Sequence, residues 1–265
     1  MALSQNESVI VQYIVHTLSS RVISPYLPPA RAASSFFIIT STLKLPVEFL
    51  ARNTRAERIN LIGYSAGAQV LDPALYELRR QYADYDTDQL REILRIGEVY
   101  FAAPDCDFRA FVVDHLPTYH DMTASTTLTV NLNDSVLALS QFIHHRVSRA
   151  GRPNLDELTE QETEMVLELV RLPTFNVIDM GTAEPPPKAS LKGGHAYWYA
   201  SPWVSADIVI QFIFHAGPEE RGLELIDVED DPIWYYPADY PERVVSRLLA
   251  YLESLDQGTV ASPKP

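Results

Sequence analysis

Cysteine is nearly absent from this 265-residue chain, where Cys106 stands alone. No internal disulfide can form, and no metal site can be assembled from cysteines. Glycine is scarce as well, at 10 residues, which excludes collagen-like and glycine-rich low-complexity readings and makes a glycine motif worth weighing. Basic residues are outnumbered, 21 Lys and Arg against 35 Asp and Glu, for a formal charge of −14. A phosphate backbone or an anionic bilayer would be repelled, and no local basic patch offsets this, so nucleic acid is not an expected partner. No uninterrupted apolar run reaches the roughly 20 residues of a spanning helix. The N-terminus, MALSQNESVIVQYIV, has no basic n-region and no small-residue cleavage site, so no signal peptide is expected and the cytoplasm is the expected compartment. What is present is ordinary globular composition, with 46% hydrophobic residues, enough for one large core. A single domain over 1–265 is expected, with 218–265 as a C-terminal helical extension and tail.

Five apolar segments rich in β-branched and aromatic residues have strand length: Val9–Val15, Ile59–Tyr64, Glu98–Ala102, Thr127–Leu132 and Phe175–Ile178. They are near-continuous rather than alternating, as strands covered on both faces should be. Helical patterns lie between them, over Ala30–Ala51, Ala68–Tyr82, Ser135–Val147 and Leu155–Leu172. Alternating strands and helices imply right-handed crossovers and a mostly parallel sheet flanked by helices, an α/β three-layer sandwich. The stretch GTAEPPPKASLKGG, Gly181–Gly194, reads as a long loop that delivers His195. A further helix, capped by Ser201 or Ser205, should stop near Gly217, and a last one should run from Asp239 to about Leu255 with Glu242 completing a capping box.

The segment RINLIGYSAGAQV, Arg58–Val70, carries Gly63-Tyr64-Ser65-Ala66-Gly67 where a predicted buried strand meets a helical run of small residues. With so few glycines, a chance Gly-x-Ser-x-Gly match has a probability of roughly a few per cent. The placement suits a nucleophile elbow, in which a serine occupies a strained turn and flanking glycines let strand and helix cross closely. The plainer alternative is a glycine-rich turn with Ser65 as a helix cap. A serine hydroxyl is a weak nucleophile unless a base lies within hydrogen-bond reach and a third group orients that base. Of seven histidines, only His195 follows the last of the five strands on a long loop, where catalytic groups tend to sit. Three acids end strands and could orient it: Asp105, Asp134 and Asp179. Each has a structural alternative, as turn residue, helix cap or partner of a nearby backbone N–H. Spacing alone does not choose among them.

INLIGYSAGAQVL, VYFAAPDCDFRAF, TLTVNLNDSVLALS, FNVIDMG and GGHAYWY together resemble the α/β-hydrolase superfamily, and more closely a bacterial group of predicted serine hydrolases formerly listed as a domain of unknown function. The likeness spans roughly 30–217 and keeps the order Ser, Asp, His. It implies Ser65 as nucleophile, His195 as general base and Asp134 as the orienting acid. The Ala66 N–H would be one oxyanion-hole donor. The superfamily's His-Gly-type turn, source of the second donor, has no counterpart, and only one strand precedes the elbow, so the fold looks shortened at its N-terminus. The second donor is then sought near His16 and Thr17. The resemblance implies a serine hydrolase cleaving a carboxylic ester through an acyl-enzyme, with a small-molecule ester as partner and no cofactor or metal. Tyr64, Tyr197 and Trp198, with Tyr199 and Trp203 beyond, are candidates for the walls of a substrate pocket, against the commoner use of aromatic clusters as core. A thioesterase, peptidase or acyltransferase would use the same triad. A binding or scaffold protein that kept only the fold is the alternative of a different class.

Overall fold

Short apolar segments build the sheet, and amphipathic ones cover it. The structure is a computed structural model that describes residues 9–13, 46–54, 56–183, 195–228 and 231–256. Its main elements in chain order are β1 (Val9–Tyr13), β2 (Ile59–Tyr64), α1 (Ala68–Gln81), α2 (Thr87–Leu94), β3 (Ile96–Ala102), β4 (Ser125–Val130), α3 (Ser135–Ile143), α4 (Glu160–Val170), β5 (Phe175–Asp179), α5 (Pro202–Phe214), β6 (Glu224–Val228), β7 (Asp231–Tyr235) and α6 (Tyr240–Asp256). The strands form one seven-stranded sheet in the order β1-β2-β3-β4-β5-β7-β6. All neighbours are parallel except the β6–β7 hairpin at one edge.

Side chains of β2, β3 and β5 point alternately to two cores. Ile59, Leu61, Val99, Phe101, Phe175 and Val177 face one core with α1, α2 and α4, in which Leu71, Leu75, Leu78, Leu90 and Leu94 are buried. Ile62, Tyr100, Ala102 and Ile178 face the other, against Val204, Ile208 and Phe212 of α5 and Tyr240 of α6. This is the expected three-layer α/β sandwich. The strands are buried on both faces because helices cover both, which explains their near-continuous apolar sequence. A polar exception is Asn60 in mid-strand, fully buried, whose amide donates to the Phe212 carbonyl (3.0 Å) and accepts from the Glu98 N–H (2.9 Å).

Three sequence expectations need correction. The region 218–265, read as a helical extension and tail, also carries β6 and β7, which extend the sheet before α6 begins. Pro232 inside β7 hid that strand, since proline is tolerated only at edges and strand starts. Helix α2 was not expected, although Asp86 and Gln89 form a capping box at its start and Leu90 and Leu94 supply its buried stripe. The segment between β3 and β4, left without an expected element, contains a π-helical turn, Ala110–His115, that runs into the short helix Leu116–Tyr119. Of the helix expected over Ala30–Ala51, residues 46–53 are helical and 30–45 lie outside the described residues. The same holds for residues 14 and 15 of the first strand, for 184–194 of the long loop and for the tail, 257–265. No described helix is long and apolar enough to cross a membrane.

Candidate active site

Ser65 stands at the carboxyl end of β2 with φ 52, one of six non-glycine residues with positive φ among the described residues. For an L-residue with a Cβ this left-handed conformation costs about 1–2 kcal/mol, so the surroundings must hold it. Two features do so. A Cβ on Gly63 would lie 3.0 Å from Leu71 Cδ2 and 3.4 Å from Phe101, so glycine lets strand and helix approach there. The Ser65 carbonyl accepts the Asp105 N–H at 3.0 Å, which ties the turn to the loop after β3. A single 3-10 turn, Ser65–Gly67, then feeds α1.

Asp134 follows β4, on a turn in which the Asn131 side chain accepts the Asn133 N–H (3.0 Å) and the Asn131 carbonyl accepts the Asp134 N–H (3.1 Å). It is fully buried and is the N-cap of α3. Its two oxygens divide the work. Oδ1 accepts the N–H groups of Val136 (2.9 Å) and Leu137 (3.0 Å), and Oδ2 lies 2.7 Å from His195 Nδ1. The other imidazole nitrogen, Nε2, lies 2.8 Å from Ser65 Oγ. His195 is itself buried at 5% exposure. The structure therefore brings Ser65, directly after β2, Asp134, on the turn after β4, and His195, in the segment that follows β5 in the chain, into one hydrogen-bonded line at the carboxyl edge of the sheet. In parallel α/β sheets that edge is where ligands bind.

The other acids are engaged elsewhere. Asp179 Oδ1 accepts the Gly181 N–H at 2.8 Å and closes a turn. Asp105 Oδ1 accepts from Arg149 Nε and Ser140 Oγ, both at 2.6 Å. Arg149 carried no sequence signal, because it pairs with an acid 44 residues away. Among the remaining histidines, His115 pairs with Asp72 (2.5 Å) and His215 faces Glu98 (3.4 Å). Thr17 and His16, where the second oxyanion donor was sought, lie outside the described residues. Strand β1, which precedes them in the chain, pairs in parallel with β2, with Tyr13 opposite Gly63.

Aromatic residues gather at the imidazole. The Tyr64 ring lies 5.4 Å from His195 and 5.2 Å from Trp198, and meets Tyr199 edge-on at 6.0 Å. Burial, with nearby Tyr199 and Asp134, pushes the Tyr64 phenol up, so it stays neutral. Tyr197 is a buried member of the core that α5 covers. Its hydroxyl sits 2.7 Å from Thr129 Oγ1 inside the core, which corrects its expected place in a pocket wall. Trp203 likewise packs on Tyr236 and Tyr240.

A cavity of about 440 Å³ opens at the opposite, amino edge of the sheet, lined by Arg58, Arg91, Arg95, Glu98 and His215 among others. The C-terminal ends of α2 and α5 converge there, and basic side chains at such ends offset exposed carbonyls. It is remote from the Ser65 line. Among the described residues, no group of three His, Cys, Asp or Glu side chains is placed to hold a metal ion.

Comparison with known proteins adds the family. No curated protein and no solved structure matches the chain. The family model described as an alpha/beta hydrolase of unknown function (DUF900) matches residues 35–211, a span that includes β2 to β5, the Ser65 elbow, Asp134 and His195. With well over half its length matched, and with the sheet order and layers described above, the chain belongs to this family of alpha/beta hydrolases.

Proposed function

We propose that the chain is a serine hydrolase that cleaves carboxylic esters through an acyl-enzyme, with Ser65 as nucleophile, His195 as general base and Asp134 as the acid that orients it. The supporting observation is the line of contacts from Ser65 Oγ to His195 Nε2 (2.8 Å) and from His195 Nδ1 to Asp134 Oδ2 (2.7 Å). A carboxylate can only accept, so Nδ1 carries the imidazole proton and Nε2 offers its lone pair to the serine hydroxyl.

The chemistry then balances in two halves. Ser65 Oγ bonds to the ester carbonyl carbon while its proton passes to Nε2, and the carbonyl π pair moves onto oxygen. The tetrahedral species collapses, the C–O bond to the alcohol breaks, and the leaving oxygen takes the proton from Nε2. Water next gives a proton to Nε2 and adds to the acyl carbon. Ser65 Oγ departs with that proton, and the free acid is released. The Ala66 N–H, directly after the nucleophile, is the assigned donor to the oxyanion. Tyr64 and Trp198 are the residues we assign to the substrate wall, since their rings adjoin His195. No step draws on a cofactor.

The test is hydrolysis of p-nitrophenyl esters of short acids, followed beside a Ser65→Ala variant. Turnover by the wild type that disappears in the variant at an unchanged unfolding midpoint is the expected result. Equal turnover by both proteins would contradict the reading. Thioesters and nitroanilides of the same acyl groups, run in parallel, rank the leaving groups, with oxygen esters expected to react fastest.

A further inference from the structure

Asp105 ties the Ser65 turn to both helices that begin beside the line. Its N–H donates to the Ser65 carbonyl (3.0 Å). Its Oδ2 accepts from Gln69 Nε2 (3.3 Å), on the helix that Ser65 leads into. Its Oδ1 accepts from Ser140 Oγ (2.6 Å), on the helix that Asp134 caps. Arg149 brackets it from behind, with Nε on Oδ1 (2.6 Å) and Nη2 donating to the Asp105 carbonyl. The loop that presents Asp105 is itself fixed: Ala103 has φ 44, and its N–H donates to Thr129 Oγ1 (2.9 Å). The Arg149 and Asp105 side chains are 6% and 14% exposed, so the pair is little screened by water.

We propose that Asp105 is a positioning residue, which fixes the Ser65 elbow relative to the Asp134 helix and so sets the alignment of the path from serine to imidazole to carboxylate. The inference rests on the hydrolase reading above. Its physical basis is that a left-handed serine persists only where neighbours over-determine it. The Asp105 N–H holds the strained residue itself, while its carboxylate ties together the two helices that begin beside nucleophile and acid. A shift of about 1 Å in such a line can cost on the order of 10²-fold in rate.

The experiment measures the rate at which a fluorophosphonate labels Ser65 per folded molecule, with kcat and KM for a nitrophenyl ester. Three variants are compared with the wild type: Asp105→Asn, Ser140→Ala, and Asp105→Asn combined with Arg149→Gln. The double variant removes the unpaired buried charge that the single one leaves, so it separates loss of stability from loss of alignment. Asp105→Asn and the double variant should both be labelled about 10- to 100-fold more slowly, with kcat falling in step and KM within about twofold. Ser140→Ala, which cuts only the tie to the acid's helix, should lose about 3- to 10-fold. A merely structural Asp105 would lower the unfolding midpoint and leave the labelling rate of folded protein unchanged, and wild-type rates in the double variant and Ser140→Ala would overturn the inference. Failure of the wild type to be labelled would overturn the hydrolase reading and this one with it.

Discussion

Asp134 holds His195 with one carboxylate oxygen and caps its own helix with the other, at 2.7 Å to Nδ1 and 2.9 and 3.0 Å to the Val136 and Leu137 N–H groups. A buried strand-end aspartate can cap a helix or hold an imidazole, and one side chain here makes both sets of contacts. Asparagine can keep the cap through its carbonyl oxygen while presenting an N–H₂ group to Nδ1, which favours the wrong imidazole tautomer. Asp134→Asn should lower kcat by roughly 10² to 10⁴ with little change in unfolding midpoint. Asp134→Ala should add a loss of about 1 kcal/mol in stability from the missing cap. Steady-state kinetics and thermal melts of the two variants check the split. A fully active Asp134→Asn would remove Asp134 from the mechanism.

Backbone strain at Ser65 gives a second expectation. Alanine keeps the Cβ that the left-handed conformation disfavours, and glycine does not. Ser65→Gly should therefore be more stable than Ser65→Ala by about 1 kcal/mol, with both inactive, as read from denaturant unfolding. An alanine variant of equal or greater stability would mean that the turn relaxes to negative φ.

Gly63 yields a third. A methyl group there would meet Leu71 Cδ2 at 3.0 Å, tighter than ordinary contact. Gly63→Ala should destabilise by about 1–2 kcal/mol, and shortening Leu71 to alanine in the same chain should recover part of that loss. Strict additivity in the double-mutant cycle would contradict the contact.

The pair His115 and Asp72 gives stability a pH dependence. Burial alone would lower the His115 pKa, but the hydrogen bond and charge of Asp72, with Asp114 and Asp107 nearby, outweigh it and hold the imidazolium above the ordinary histidine range. The folded protein then binds a proton more tightly than the unfolded chain. The stability contributed is fully present below the ordinary histidine pKa and is lost as pH rises through the raised value. Unfolding free energy measured from pH 6 to 9 should fall less steeply in His115→Gln than in wild type; identical slopes would show that the pair contributes nothing. The Tyr76 ring lies 4.7 Å from the imidazole.

Local chemistry made much of this legible from the chain. Ile59–Tyr64 reads as a strand to the residue because burial on both faces leaves an apolar run with no polar interruption except Asn60, and Gly63, Ala66 and Gly67 mark the turn sterically. His195 stood out by its place on a loop after a strand. What sequence could not rank was the trio Asp105, Asp134 and Asp179, since all three end parallel strands and only three-dimensional register decides which meets the imidazole. The ties around Asp105 were hidden for the same reason: Gln69, Ser140 and Arg149 lie 36, 35 and 44 residues from it along the chain. Tyr197 looked like a pocket residue beside His195 because helical direction, not sequence distance, turns its hydroxyl onto Thr129.

The central claim is that Ser65 is an activated nucleophile, and one adduct tests it most directly. Intact protein incubated with a fluorophosphonate should gain a single mass increment, mapped by peptide sequencing to the Ser65 tryptic fragment. The increment should be absent from Ser65→Ala and strongly slowed in His195→Ala, because the hydroxyl loses its base. A wild-type protein that is folded and stays unmodified, or an adduct that persists in Ser65→Ala, would contradict the account.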